Sequence, residues 1–193
     1  MDQQRAERVA LLSKAAPIRQ AARLKLVAAS ARISLGGKRA ILTKGTFDIL
    51  HAGHLAVLAY CASLKRALNG GAVVVVVESD ASVRTRKGPK RPFQDENERA
   101  LQIALLPWVD TVLIAARAEL GRVISEVVPI AYVKGMDTAL DAKVDSAQSV
   151  TLSISRNPEL AHLQPEASAV VFMDDGTLST SELVRRIVAA EAD

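Results

Sequence analysis

Hydrophobic positions along this chain change their period several times, and the changes mark out its elements. Over residues 1–38, Val9, Leu11 and Leu12, then Ile18, Ala21, Ala22, Leu24, Leu26 and Val27, recur at a rough helical spacing, with a break at Pro17. Gly36-Gly37 closes that stretch as a loop. From Arg39 the pattern shortens. Ala40–Thr43 is a brief apolar run of strand type, and a helix is expected from Ala52 to Leu68, stopped by Asn69-Gly70-Gly71. Ala72–Val77 is apolar at every position, as strands covered on both faces are. Ser79–Gln94 reads as a polar, basic loop, and Asp95 caps a helix running to Leu106. Thr111–Ala115 is a third strand, Ala118–Val128 a helix and Ile130–Val133 a fourth strand. Residues 138–168 are less regular, with Ala139–Val150 read as helix and Ser153–Glu166 as loop. Ala169–Phe172 is a fifth strand and Thr180–Ala190 the final helix.

Strands alternating with helices predict an α/β fold. The expected form is a doubly wound, Rossmann-like, parallel five-stranded sheet with right-handed crossovers. The expected division is an N-terminal helical extension at 1–38 and one domain at 39–193.

Composition narrows the function classes. Hydrophobic residues make up 49% and aromatics only 3%, so the core is aliphatic and a wholly disordered chain is excluded. The net charge of +4 favours anionic ligands. The basic residues of interest gather in one short loop rather than interleaving with aromatics, which argues against a nucleic-acid binder. The single cysteine, Cys61, excludes an internal disulfide and is expected in the core. No apolar run is long enough to span a bilayer, and the N-terminus has no signal-peptide core, so a cytoplasmic protein with no membrane partner is expected.

Two of the three histidines, His51 and His54, follow the first strand and stand where a helix begins. Their spacing puts both rings on one helix face. A helix start offers unpaired N–H groups and a partial positive charge, and in an open parallel sheet this loop lies at the carboxyl edge, where ligands bind. Gly45 and Gly53 allow a ligand close to the backbone. Without a third ligand nearby, the histidine spacing does not define a metal site. Arg84, Arg86, Lys87, Lys90 and Arg91 form the basic loop, which is either a solvated charge run or a phosphate clamp. Arg99 either faces the site or pairs with Asp95 or Glu96. Ser179-Thr180-Ser181-Glu182 makes a capping box whose hydroxyls also suit a phosphate. His162 is expected on the surface, and Asp137, Asp141 and Asp145 on one acidic helix face.

Gly45-Thr46-Phe47-Asp48 with His51-Ala52-Gly53-His54 resembles the signature of the cytidylyltransferase-like nucleotidyltransferases. Further stations match in order: Ser79-Asp80, Lys87 to Pro92, Glu98-Arg99, Val109-Asp110, Val133 to Asp137 and Ser179-Thr180-Ser181. Within that family the adenylyltransferase domain that makes ADP-heptose is the nearer likeness, and glycerol-3-phosphate cytidylyltransferase the second. The resemblance implies transfer of a nucleoside monophosphate, AMP before CMP, from a nucleoside triphosphate to a phosphorylated sugar or polyol, with pyrophosphate leaving. It implies catalytic roles for His51, His54 and Lys87. It implies nucleotide contacts from Gly45, Thr46, Phe47, Asp48, Gly53, Arg91, Lys134, Gly135, Asp137, Ser179, Thr180 and Ser181. Asp48 would shape the loop or approach the acceptor phosphate. Mg²⁺ is expected with the triphosphate, held mainly by phosphate oxygens and water, and a homodimer is expected. Met136 stands where a smaller residue is expected, which implies altered base recognition, and no arginine precedes Ser179 as in the cytidylyltransferases. A non-catalytic nucleotide-binding protein is the alternative from another class.

Overall fold

The apolar run at residues 72–77 is buried on both faces because it forms the inside of a parallel sheet. A computed structural model of the chain describes residues 26–27, 35, 37–135, 143–144, 150–151, 158–164, 169–173 and 180–190. Among them, six parallel strands stand in the spatial order β1 (Leu26–Val27), β4 (Thr111–Ala115), β3 (Ala72–Glu78), β2 (Ala40–Gly45), β5 (Ala131–Gly135) and β8 (Ala169–Met173). A separate antiparallel ribbon pairs β6 (Lys143–Val144) with β7 (Val150–Thr151). The helices are α1 (Ala52–Ala67), α2 (Asp80–Lys87), α3 (Glu96–Ala104), α4 (Leu120–Val127) and α5 (Thr180–Ala190), with 3₁₀ segments at Arg117–Glu119 and Pro158–His162.

The chain builds β2, β3 and β4 in one direction and then crosses back to lay β5 on the other side of β2. The order therefore reverses between β2 and β5, and a crevice opens there beyond the carboxyl ends. The α/β doubly wound architecture expected from the pattern is the one observed.

Alternation along the strands separates two cores. Ile41, Val73, Val75, Val77, Val112 and Val133 point to the first face, where they meet Val57, Leu58 and Cys61 of α1 and Ile103 of α3. Leu42, Val74, Val76, Leu113 and Tyr132 point to the second face, against Leu120, Val123 and Ile124 of α4 and Leu160. Each buried Val, Leu or Ile contributes about 1.5–3 kcal/mol, so aliphatic burial dominates the stability of the sheet. On the second face Gly121 lets the Pro158–His162 segment approach α4, since a Cβ there would stand 2.4 Å from His162 Nε2. His162 itself is exposed and Cys61 is a buried free thiol, both as expected.

The structure departs from the sequence pattern in three places. Leu26–Val27 is a sixth strand of the sheet, paired with Val112–Leu113, where a helix was expected; two residues are too short to display a strand period. Asp80–Lys87 is a helix rather than a loop. Ser79 caps it, its hydroxyl accepting from Ser82 N, but only Val83 is buried, so no apolar stripe announces it. Lys143–Val144 and Val150–Thr151 are strands inside a stretch read as helix, and Pro158–His162 is 3₁₀ inside a stretch read as loop. The remainder of the helical reading of 1–38 lies outside the described residues, as do Asp141 and Asp145. No described helix is long and apolar enough to cross a membrane.

Candidate functional site

Beyond the carboxyl end of β2, the chain turns at Thr46–Leu50 and enters α1, with His51 as its N-cap residue. No side-chain oxygen caps this helix and no acidic residue lies in its first turn. Its first N–H groups and positive dipole end therefore face the crevice and suit an anion. The His51 and His54 rings stack with centroids 3.8 Å apart at 26°. Gly53 is buried between them in the first turn.

Phe47 shapes the turn. It is a non-glycine residue at φ 52°, a left-handed conformation that neighbours must hold in place. Its ring stands edge-on to His54, with centroids 5.1 Å apart, and packs over Gly45. A Cβ on Gly45 would meet that ring at 2.8 Å, so the close approach that needs a glycine there is made by Phe47.

Two buried charges brace the turn. Asp48 is 1% exposed. Its Oδ1 accepts from Phe93 N at 2.7 Å and Gln94 N at 3.1 Å, and its Oδ2 accepts from Arg91 Nε at 2.8 Å. Asp48 thus ties the turn to residues 91–94, and the Arg91 guanidinium in turn lies 4.5 Å from the Phe93 ring. Arg99 of α3 is fully buried. It donates to the carbonyls of Gln94, Thr46 and Glu78 and to Asp80 Oδ1, at 3.0, 2.5, 2.8 and 2.7 Å. It pairs with neither Asp95 nor Glu96; Asp95 instead closes a capping box with Glu98.

The basic residues separate by role. Arg84 pairs with Asp80 at 3.2 Å on the surface of α2. Arg86 is ion-paired with Glu78, and both reach the Thr46 hydroxyl, at 3.1 and 3.2 Å. These bonds dock α2 onto the turn. Lys87, the last residue of α2, keeps part of its side chain in solvent and is close enough to influence His54. Partial burial lowers its pKa, with Arg86 and Arg91 adding to the effect. Burial likewise lowers the His54 pKa to about 4, helped by His51 and Lys87. At neutral pH His54 is therefore an uncharged imidazole, with a proton on one ring nitrogen and a lone pair on the other.

Lys134-Gly135 ends β5 on the other side of the switch point. The Lys134 ammonium is buried and bonds Glu159 Oε1 at 3.0 Å. Thr180 and Ser181 open α5, after β8. Met136, Asp137 and Ser179 lie outside the described residues. The structure thus brings Gly45, Thr46, Phe47, Asp48, His51, Gly53, His54, Lys87 and Arg91 together at the start of α1, with Lys134 and Gly135 at the end of the neighbouring strand.

Sequence reasoning passed over Lys44, Glu78 and Glu159. Lys44 and Glu78 did carry a signal, as lone charges at the carboxyl ends of otherwise apolar strands. Glu159 carried none. Among the described residues no three His, Cys, Asp or Glu side chains cluster as a metal site.

A helix start with two histidines, at the switch point of a doubly wound sheet, is an arrangement suited to a phosphorylated ligand. The cytidylyltransferase-like family model matches residues 42–186, and the chain belongs to that family, a nucleotidyltransferase domain. It is 41% identical over 116 residues to the bifunctional protein HldE of Aeromonas hydrophila, a match covering 60% of this chain and 23% of the relative. It is 40% identical over 126 residues to HldE of Chromohalobacter salexigens, covering 65% and 25%. The chain thus spans about a quarter of the length of these relatives. Among solved structures, the lipopolysaccharide core biosynthesis protein of Thermoplasma volcanium matches with a TM-score of 0.51 and 28% identity, over 72% of this chain and 98% of the other.

Proposed function

We propose that this chain transfers AMP from ATP to a phosphorylated sugar or polyol, releasing pyrophosphate. The observation that carries the reading is the stacked His51–His54 pair at the uncapped start of α1, with Lys87 beside it. The acceptor supplies its own nucleophile. One of its phosphate oxygens forms a bond to the α-phosphorus, and the bond from that phosphorus to the bridging oxygen of the β-phosphate breaks. The protein needs to position two anions and to stabilise the charge that develops between them.

In this reading, the neutral His54 donates to the oxygens that gain charge, while Lys87 and Arg91 draw the triphosphate onto the helix start. Lys134, Gly135, Asp137, Ser179, Thr180 and Ser181 hold the rest of the nucleotide. Mg²⁺ enters with the triphosphate on phosphate oxygens and water. A sugar or polyol phosphate acceptor is favoured by the ordered motif likeness to the ADP-heptose-making domain and by the relatives matched above. The reading includes a cytoplasmic homodimer with residues 39–193 as the catalytic unit.

A pyrophosphate-release screen, crossing ATP and CTP with sugar and polyol phosphates, tests it. Release is expected with ATP, and the CTP arm tests the cytidylyl alternative. His54→Ala is expected to lower the rate by about 10²–10³, as loss of one preorganised donor does. Release at the parental rate would sink the assignment of the site. Nucleotide binding with no release from any acceptor would favour the non-catalytic alternative.

A further inference from the structure

Lys87 is carried beside His54 by α2, a short helix with a single buried residue, Val83. The two halves of that helix are tied down unequally. Its first half has many bonds to the fold. Ser79 caps it, Asp80 N donates to Glu96 Oε2 at 2.7 Å, and Asp80 Oδ1 accepts from Arg99 at 2.7 Å. The Ser82 hydroxyl donates to Glu78 Oε1 at 2.9 Å and accepts from Arg117 N at 3.1 Å. In the second half, Arg84 and Thr85 bond back along the helix itself, to Asp80 Oδ2 and Ala81 O. Among the described residues, the side-chain bonds that tie the last turn to the rest of the fold come from Arg86.

Arg86 makes those bonds as a fork. Its Nε donates to Glu78 Oε1 at 3.4 Å and its Nη2 pairs with Glu78 Oε2. The same Nη2 donates to Thr46 Oγ1 at 3.1 Å, and Thr46 donates to Glu78 Oε2 at 3.2 Å. Side chains from α2, β3 and the histidine turn thus close a ring. A two-pronged contact of this kind fixes direction as well as distance. The Glu78 side chain is only 10% exposed, so solvent ions screen the pair less than a surface pair. Burial raises the Glu78 pKa, but the hydrogen bonds from Arg86 and Ser82 outweigh it and hold the carboxyl below its ordinary range. The pair is therefore ionic at neutral pH. Lys87 follows Arg86 directly in the chain, so fixing one guanidinium fixes the backbone from which the neighbouring ammonium extends.

We propose that Glu78 and Arg86 are positioning residues for Lys87. Their pair holds the last turn of α2 against Thr46 and so keeps the Lys87 ammonium beside the histidines. In this role Arg86 acts through Lys87 and does not itself take the triphosphate. The proposal rests on the transferase reading for what Lys87 does, but the holding of the helix needs no substrate.

The test uses the full chain with two readouts, amide hydrogen exchange without substrate and pyrophosphate release with ATP. The Gly88 amide donates to Arg84 O at 2.9 Å and reports the last turn of α2, while the Val83 amide donates to Ser79 O at 2.9 Å and reports the first. Arg86→Met and Glu78→Gln are each expected to speed Gly88 exchange by about tenfold and to leave Val83 exchange unchanged, which also shows that the variants are folded. Each is expected to lower kcat/KM for ATP on the order of tenfold, as misplacing a reacting group does. In a Lys87→Ala background the same changes are expected to cost little more, because a group already removed cannot be misplaced. Losses that multiply with that of Lys87→Ala overturn the proposal, since Arg86 would then act on the ligand itself. Glu78→Gln separates the two roles in another way, because it leaves the Arg86 charge on α2. A kcat/KM at or above the parental value in that variant also overturns the proposal. Faster Gly88 exchange in variants of a parent that releases no pyrophosphate upholds the positioning pair and overturns the transfer reading. Parental Gly88 exchange in both variants, with normal release, does the reverse.

Discussion

The two faces of this sheet handle buried charge differently. On the first face, Arg99 meets four acceptors and Asp48 meets two backbone amides and a guanidinium. On the second face, Lys44, Lys134 and the Tyr132 hydroxyl converge on a single oxygen of Glu159. The difference teaches what each side is for. Fully satisfied charges hold the strained Phe47 turn in one geometry, as a site acting by preorganisation requires. On the second face Glu159 Oε2 accepts no hydrogen bond, so that carboxylate is less firmly fixed than Asp48.

The sharpest way to break the comparison is to remove the first-face brace. Arg99→Met leaves three carbonyls and one oxygen of Asp80 without their donor, and the expected loss is about 3–5 kcal/mol of stability by urea denaturation, with activity lost alongside. Arg99→Lys is not expected to restore it, because an ammonium cannot reach acceptors arranged around a planar fork. If Arg99→Met were as stable as the parent, the brace would be decorative. Asp48→Asn is milder, since the amide keeps the shape but loses the charge facing Arg91. The expected cost is about 1–3 kcal/mol, with the ATP KM raised more than kcat is lowered, because residues 91–94 are held less firmly. Equal effects on both parameters would place Asp48 in the chemistry instead.

How readily each face was read from sequence follows the same division. The histidine turn was legible because its elements are local: a strand end, two glycines, two histidines at helical spacing and a helix behind them. Arg99 was not, since Glu96, Asn97 and Glu98 beside it look like an exposed helix face, and only the arrival of β2 and α2 buries its guanidinium. The helix Asp80–Lys87 was hidden for a related reason, having one buried residue and so no stripe. Lys44 and Glu78 were visible as odd charges but not as neighbours, because their adjacency comes from parallel pairing of β2 with β3. Glu159 is placed by the packing of a 3₁₀ segment on Gly121, a contact with no periodic trace in the chain.

The smallest expected effect sharpens the first-face side. His54 has a folded pKa of about 4 against an ordinary 6.5, chiefly through burial. Between those values the unfolded chain binds a proton that the folded chain refuses. Stability is therefore complete above about pH 6.5 and falls as the pH drops towards 4, where the folded form also protonates. Urea midpoints for the parent at pH 7 and pH 5 should differ by more than those of His54→Gln, which lacks the titrating group. A bound triphosphate opposes the shift, because its charge favours the imidazolium. ATP binding near pH 5.5 should accordingly take up protons, seen as a dependence of the calorimetric enthalpy on buffer ionisation heat. The same dependence in His54→Gln would assign the proton to another group, and its absence in the parent would remove His54 from contact with the phosphates.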